Sequence, residues 1–214
     1  MQAILKVLMP KLKDPSPGVV SSVLSAVGEL ARVGGEELEP YLDQLFPVIF
    51  DTLQDQSSVT KREAALKTIG QLASNTSYVI EPFLRYPNLM NIIVSILKTE
   101  QESKIRREAV KLLGILGALD PYKYKVNLLE MAFGDIEMKS NSNGNESEDA
   151  PDDLGPSSED YFPTVVVNAL MKILRDPSLS VHHTAVVQAV MYIFKTQGLK
   201  CVSFIPQVST ELIE

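Results

Sequence analysis

Tryptophan is missing from these 214 residues, cysteine occurs once and histidine twice. A lone cysteine, Cys201, cannot close an internal disulfide, and a reducing, cytoplasmic setting is the simplest expectation. The two histidines are adjacent, His182-His183, and no second Cys or His cluster exists to complete a zinc site with them. No apolar run approaches the roughly 18 residues that would suggest a membrane span. No basic-then-apolar leader opens the chain, so the sequons at Asn75 and Asn145 read as ordinary asparagines. Gly34-Gly35 and Gly114-x-x-Gly117 fit neither nucleotide-binding fingerprint, and none of the protein-kinase signatures occurs. These absences predict a segment with no catalytic residue, no metal site and no cofactor of its own.

Charge of one sign is also scarce outside one stretch. The net charge is −7, yet 135–160 alone carries −8, with nine acidic residues against Lys139. The remainder is near neutral, which gives no electrostatic reason to expect nucleic acid or an anionic membrane as partner. The acidic stretch is rich in Asn, Ser and Gly, too polar to offset its ordering entropy, and is expected to be disordered.

What is present is a repeating pattern of Leu, Val, Ile and Ala. An apolar helix, a short turn and a second helix rich in small residues recur along the chain. The first copy reads Ile4 to Lys13 and Val19 to Val33, and the second Leu38 to Leu53 and Val59 to Ala73. The third reads Val79 to Leu97 and Lys104 to Leu119, the fourth Phe162 to Leu174 and Val181 to Phe194, and a fifth opens near Val202. The last leucines of the first helices, Leu12, Leu53, Leu97 and Leu174, are spaced by 41, 44 and 77 residues. The first two spacings match the roughly 40–47 residues of HEAT and armadillo units, and the third is one period plus an insertion.

The expectation is an all-α, right-handed superhelical solenoid. Its units are 1–37, 38–78, 79–121 and 161–199, with an acidic insertion at 122–160 and the start of a further repeat at 200–214. In the second helices Leu66, Ile69, Leu72 and Ala73, and likewise Val110, Leu113, Leu116 and Gly117, form apolar stripes that only a neighbouring repeat can cover. Gly28, Gly70 and Gly114 fall close to one register and predict close helix–helix approach; the fourth copy places Met191 there. Neither end shows the polar face of a capping repeat, which reads as a piece of something longer.

Candidate functional residues are few. Asp14, Asp55 and Asp176 at the turns, with Arg62 and Arg107 at second-helix starts, read as an inter-repeat ladder of ion pairs. The alternative is that Lys61, Arg62, Lys104, Arg106 and Arg107 form a basic strip for an acidic partner; the ladder is preferred because charges on helices are usually paired locally. His182-His183 reads as a solvated helix face, and Cys201 as a small core residue. Ser157, with Asp160 three places on, is a candidate phosphorylation site, although an inert surface loop is the preferred reading there.

Several long strings resemble the N-terminal HEAT region of the target-of-rapamycin (TOR) protein kinases. The longest runs Arg106-Arg107-Glu108-Ala109-Val110-Lys111-Leu112-Leu113-Gly114-Ile115-Leu116-Gly117-Ala118-Leu119-Asp120-Pro121-Tyr122-Lys123. Others are Ile4 to Asp14, Leu97 to Gln101, His182-His183-Thr184 and Gly198 to Cys201. The resemblance implies a segment of a large serine/threonine kinase whose catalytic domain, with its ATP and Mg, lies elsewhere. It implies a scaffold role in growth and nutrient signalling, contacts with other repeats and with TOR complex subunits, and a homodimeric parent. It also implies a cytoplasmic parent that reaches endomembrane, lysosome or vacuole surfaces and the nucleus. The rival expectation is a free-standing HEAT adaptor, such as a transport receptor or phosphatase scaffold. A third is that the acidic insertion itself recruits a basic partner.

Overall fold

The computed structural model describes residues 2–76, 79–119, 158 and 160–213. The insertion expected at 122–160, Ser157 and Asn145 lie outside the described residues, apart from Ser158 and Asp160. Among the described residues ten α-helices follow in chain order. They are α1 (Gln2–Lys11), α2 (Pro17–Gly34), α3 (Glu39–Gln54), α4 (Val59–Asn75) and α5 (Glu81–Arg85), then α6 (Leu89–Thr99), α7 (Ser103–Gly117), α8 (Tyr161–Leu174), α9 (Ser180–Gln197) and α10 (Ile205–Ile213). Short 3₁₀ turns at Gly35–Leu38, Pro177–Leu179 and Gly198–Phe204 connect some of them. No strand occurs among the described residues.

The helices pair in sequence, α1 with α2, α3 with α4, α6 with α7 and α8 with α9. The second helices stack directly on one another, α2 on α4, α4 on α7 and α7 on α9. Their apolar stripes account for this. Leu66, Ile69, Leu72 and Ala73 are buried, as are Val110, Leu113, Leu116 and Gly117, so each stripe meets a neighbour instead of water. One hydrophobic core results, running from Leu5 in α1 to Val208 in α10.

Glycine permits the close stacking. A Cβ on Gly28 would run into the side chain of Gln71, and one on Gly114 would sit 3.0 Å from the Ala189 Cβ and 3.3 Å from its Cα. The residue facing Gly114 is therefore Ala189, while Met191, which the spacing places in register, is exposed. Two further glycines end helices: Gly35 after α2 (φ 49°) and Gly198 after α9 (φ 57°) take the left-handed region that a side chain disfavours.

Two expected elements are revised. The helix read as Val79 to Leu97 is two, α5 and α6, because Pro87 supplies no N–H and pushes Tyr86 out of the helical region. The fifth copy begins as a 3₁₀ turn at Gly198, three residues before buried Cys201, and becomes α-helical only at Ile205.

The sequence interruption does not interrupt packing. Gln197 donates to the Leu119 carbonyl at 2.7 Å, joining the ends of α9 and α7. Phe83 and Phe162 meet edge to face at 5.1 Å between ring centres, and Gly117 admits Val166 and Ile193.

Candidate functional site

Each turn between paired helices is closed by an acid that accepts a backbone N–H two residues ahead. Asp14 Oδ1 takes the Ser16 amide at 3.0 Å, Asp55 Oδ1 the Ser57 amide at 2.9 Å, and Asp176 Oδ1 the Ser178 amide at 3.0 Å. The fourth member, Glu100, escapes a reading that looks for Asp beside turn formers. Its Oε1 accepts the Gln101 amide at 2.9 Å and the Glu102 amide at 3.1 Å. The capping hydrogen bonds favour the charged carboxylates. Bonds from the Ser178 hydroxyl and amide hold Asp176 below its usual range, and bonds from Lys61 and Ser57 hold Asp55 far below it. Burial pushes Glu100 up, but the Glu102 amide and Arg62 overcome it and hold the group low.

The turn aspartates therefore serve their own turns. Asp14 also approaches Lys11 at 3.6 Å, and Asp55 pairs with Lys61. Arg62 crosses to the next repeat, where its guanidinium pairs with Glu100 Oε2 in a nearly buried contact, 13% and 10% exposed. No carboxylate among the described residues pairs with Arg107, which is exposed. The residue equivalent to Arg62 is instead Arg106. Both stand three places into their helices, and the same offset relates Leu53 to Leu97 and Gly70 to Gly114. Both also bury a guanidinium Nε without a hydrogen-bond partner.

Two grooves open along the row of first helices. The first, about 600 Å³, lies between α3 and α6 and contains the Arg62–Glu100 pair. The second, about 520 Å³, lies between α6 and α8, with Arg106, Lys98, Lys172 and Asp176 on its walls. Here the capping acid is Asp176, one methylene shorter than Glu100, and it forms no ion pair with Arg106.

The solvated-face reading is corrected at His182, while His183 is half-buried. His182 is 7% exposed, and its pKa is lowered by burial first, then by Arg106, Arg107 and His183. His183 Nε2 lies 3.1 Å from the Ile173 carbonyl and 3.2 Å from that of Asp176, which ties α9 to the turn before it. Cys201 is buried, and burial pushes its thiol up, away from a reactive thiolate. Asn75 donates to the Gln71 carbonyl. Among the described residues no group of His, Cys, Asp or Glu is placed to hold a metal ion, and no helix is long and apolar enough to cross a membrane.

Comparison with known proteins says which stack of helices this is. The family described as "Serine/threonine-protein kinase mTOR domain" matches residues 79–214. The chain belongs to this family. Among curated relatives, the serine/threonine-protein kinase TOR2 of Saccharomyces cerevisiae is 49% identical over 98% of this chain. The serine/threonine-protein kinase mTor of Drosophila melanogaster is 43% identical over 100% of it, and TOR of Arabidopsis thaliana 42% over 91%. The chain spans only 8%, 9% and 8% of those three proteins.

The mTOR-domain match covers α5 to α10, and both Glu100 and Arg106 fall within it. A second family, described as "Importin subunit beta-1-like, TPR repeats", matches residues 1–118 and overlaps it across α5 to α7. Kap121p superposes with a TM-score of 0.54 at 13% identity, over 96% of this chain and 20% of that one. An engineered protein superposes at 0.51 and 15% identity, over 97% and 92%. These two likenesses show the helical-repeat fold alone.

Proposed function

We propose that this mTOR-domain chain is a scaffold and protein-interaction segment of a TOR-type serine/threonine kinase that acts in nutrient and growth signalling. The supporting observation is near-complete coverage by TOR relatives at up to 49% identity, across a stack whose core runs unbroken from α1 to α10. Phosphoryl transfer, with ATP and Mg, belongs to another part of the parent chain. This segment contributes rigid, repeat-spaced surfaces to neighbouring repeats and to other subunits of a TOR complex. The parent is a homodimer that works in the cytoplasm, at endomembrane, lysosome or vacuole surfaces, and in the nucleus.

The test is the size and company of the native polypeptide. An antibody raised against this chain should detect a band many-fold larger than the 23.6 kDa computed for these residues. Material precipitated with that antibody should phosphorylate a protein substrate, while the isolated chain should transfer no phosphate and bind no ATP. A native band near the chain's own mass, or phosphotransfer by the purified chain, would overturn the proposal.

A further inference from the structure

The two grooves are built alike until the charges are counted. In the first, Glu100 performs two tasks: Oε1 closes its turn and Oε2 pairs with Arg62. In the second, Asp176 performs the first task only. Its Oδ1 accepts both the Ser178 amide and the Ser178 hydroxyl, at 3.0 and 2.6 Å. Arg106, like Arg62, buries an Nε without a hydrogen-bond partner, but unlike Arg62 it forms no ion pair with a described carboxylate. Lys98 and Lys172 flank it, exposed and likewise unpaired among the described residues, so three cations face one committed aspartate. A guanidinium with no ion pair, open to a groove, can bind an external carboxylate through a charge-assisted bond.

The groove is not a bare anion site. Val94, Val165 and Leu179 form half-buried apolar shoulders along about 520 Å³. Those shoulders suit alternate side chains of an extended peptide, and an inorganic anion would leave them uncovered.

We propose that the α6–α8 groove binds an extended acidic peptide of a partner protein, whose carboxylate reaches Arg106 as Glu100 reaches Arg62 in the neighbouring groove. The flanking lysines draw in further acidic residues, and the shoulders take apolar ones between them. The site rests on the scaffold reading and names its partner class. A failure here leaves the native-size and kinase measurements untouched.

The test measures fluorescence anisotropy of a short labelled peptide alternating Glu and Leu, added to the 214-residue chain. Binding is expected, weakening as salt rises, with a Gln/Leu peptide of the same length bound at least about tenfold more weakly. Arg106→Gln should weaken binding by roughly tenfold, the loss of one charge-assisted bond. The sharper variant is Asp176→Glu, which leaves the net charge and every cation in place. Its extra methylene lets the chain's own carboxylate reach Arg106, so binding should again fall about tenfold. Glu100→Asp should do the reverse, releasing Arg62 and adding a second site in the α3–α6 groove. Circular dichroism on each variant verifies that the helices persist.

The proposal is overturned if the wild-type chain binds neither peptide, or if Arg106→Gln and Asp176→Glu bind like wild type. Binding that emerges only when 135–160 is deleted also overturns it, because the groove then belongs to the chain's own acidic stretch. So does single-stranded polyuridylate that binds more tightly than the peptide and depends on Arg106, which would make the surface a nucleic-acid site.

Discussion

Repeats two and three meet through the Arg62–Glu100 ion pair; repeats three and four place Arg106 near Asp176, a shorter acid that forms no ion pair with it. The contrast shows how little separates a finished joint from an open one in a repeat protein. Both joints stack second helices over a glycine, both close their turns with an acid, and both place an arginine at the same depth in its helix. At the first, Glu100 spends its second oxygen on the neighbour and the joint is neutralised from within. At the second the charge is left facing a groove. Stability is thus invested in one junction, and a reactive surface charge retained in the other.

The comparison breaks most severely at the glycines. Gly114→Val should cost about 3 kcal/mol in urea unfolding, because its new side chain meets the Ala189 backbone, which has nowhere to move. A Cβ at Gly70 meets only side-chain tips, Ile115 Cδ1 at 3.2 Å and Leu112 Cδ1 at 3.7 Å, so Gly70→Val should cost about 1 kcal/mol. Equal losses for valine at the two positions would mean that the joints are packed alike after all.

Next in size is the ion pair. Arg62→Ala should destabilise by about 2 kcal/mol, between the values usual for exposed and for fully buried pairs, since it strands a carboxylate that is 10% exposed. Arg106→Gln should stay within about 0.5 kcal/mol, having no partner to strand. A double-mutant cycle over Arg62 and Glu100 isolates the coupling, and a coupling near zero would remove the distinction between the joints.

A further difference lies in acid response. His182 has a folded pKa below its ordinary 6.5, so the unfolded chain takes up its proton first as the pH falls. The fourth repeat should therefore keep full stability above about pH 6.5 and lose part of it below that value. The Glu100 joint, whose carboxylate is held low, should weaken only as the pH falls below the 4.5 of an ordinary glutamate. Thermal melts of wild type and His182→Leu between about pH 7 and about pH 5.5 test the first half, with the variant expected to show the flatter profile.

Much of the fold was legible because leucine spacing and small residues dictate it. Leu53, Leu97 and Leu174 mark helix ends, and the turn aspartates fall where the residue pattern puts them. The joint chemistry was harder to read. Arg62 and Arg107 share a local Arg-Glu-Ala string, but the helix starts show that Arg106 is the true counterpart. A one-residue difference of this kind rotates a side chain by about 100° and separates a groove wall from open solvent. Glu100 was missed because a glutamate after a helix carries no turn signal of its own; the clue was that an acid occupied every other turn. His182 looked solvated because two adjacent histidines at a helix start are polar, and only the packing of α9 on α7 shows that one of them is enclosed.

The contacts that bridge α7 and α9 (Gln197 on the Leu119 carbonyl, Val166 and Ile193 at Gly117) have a consequence for how the molecule can be divided. They are made through space, between residues far apart in the sequence. The joint is thereby a natural split point. Two separately produced halves, residues 1–119 and 158–214, should find each other and restore the stack.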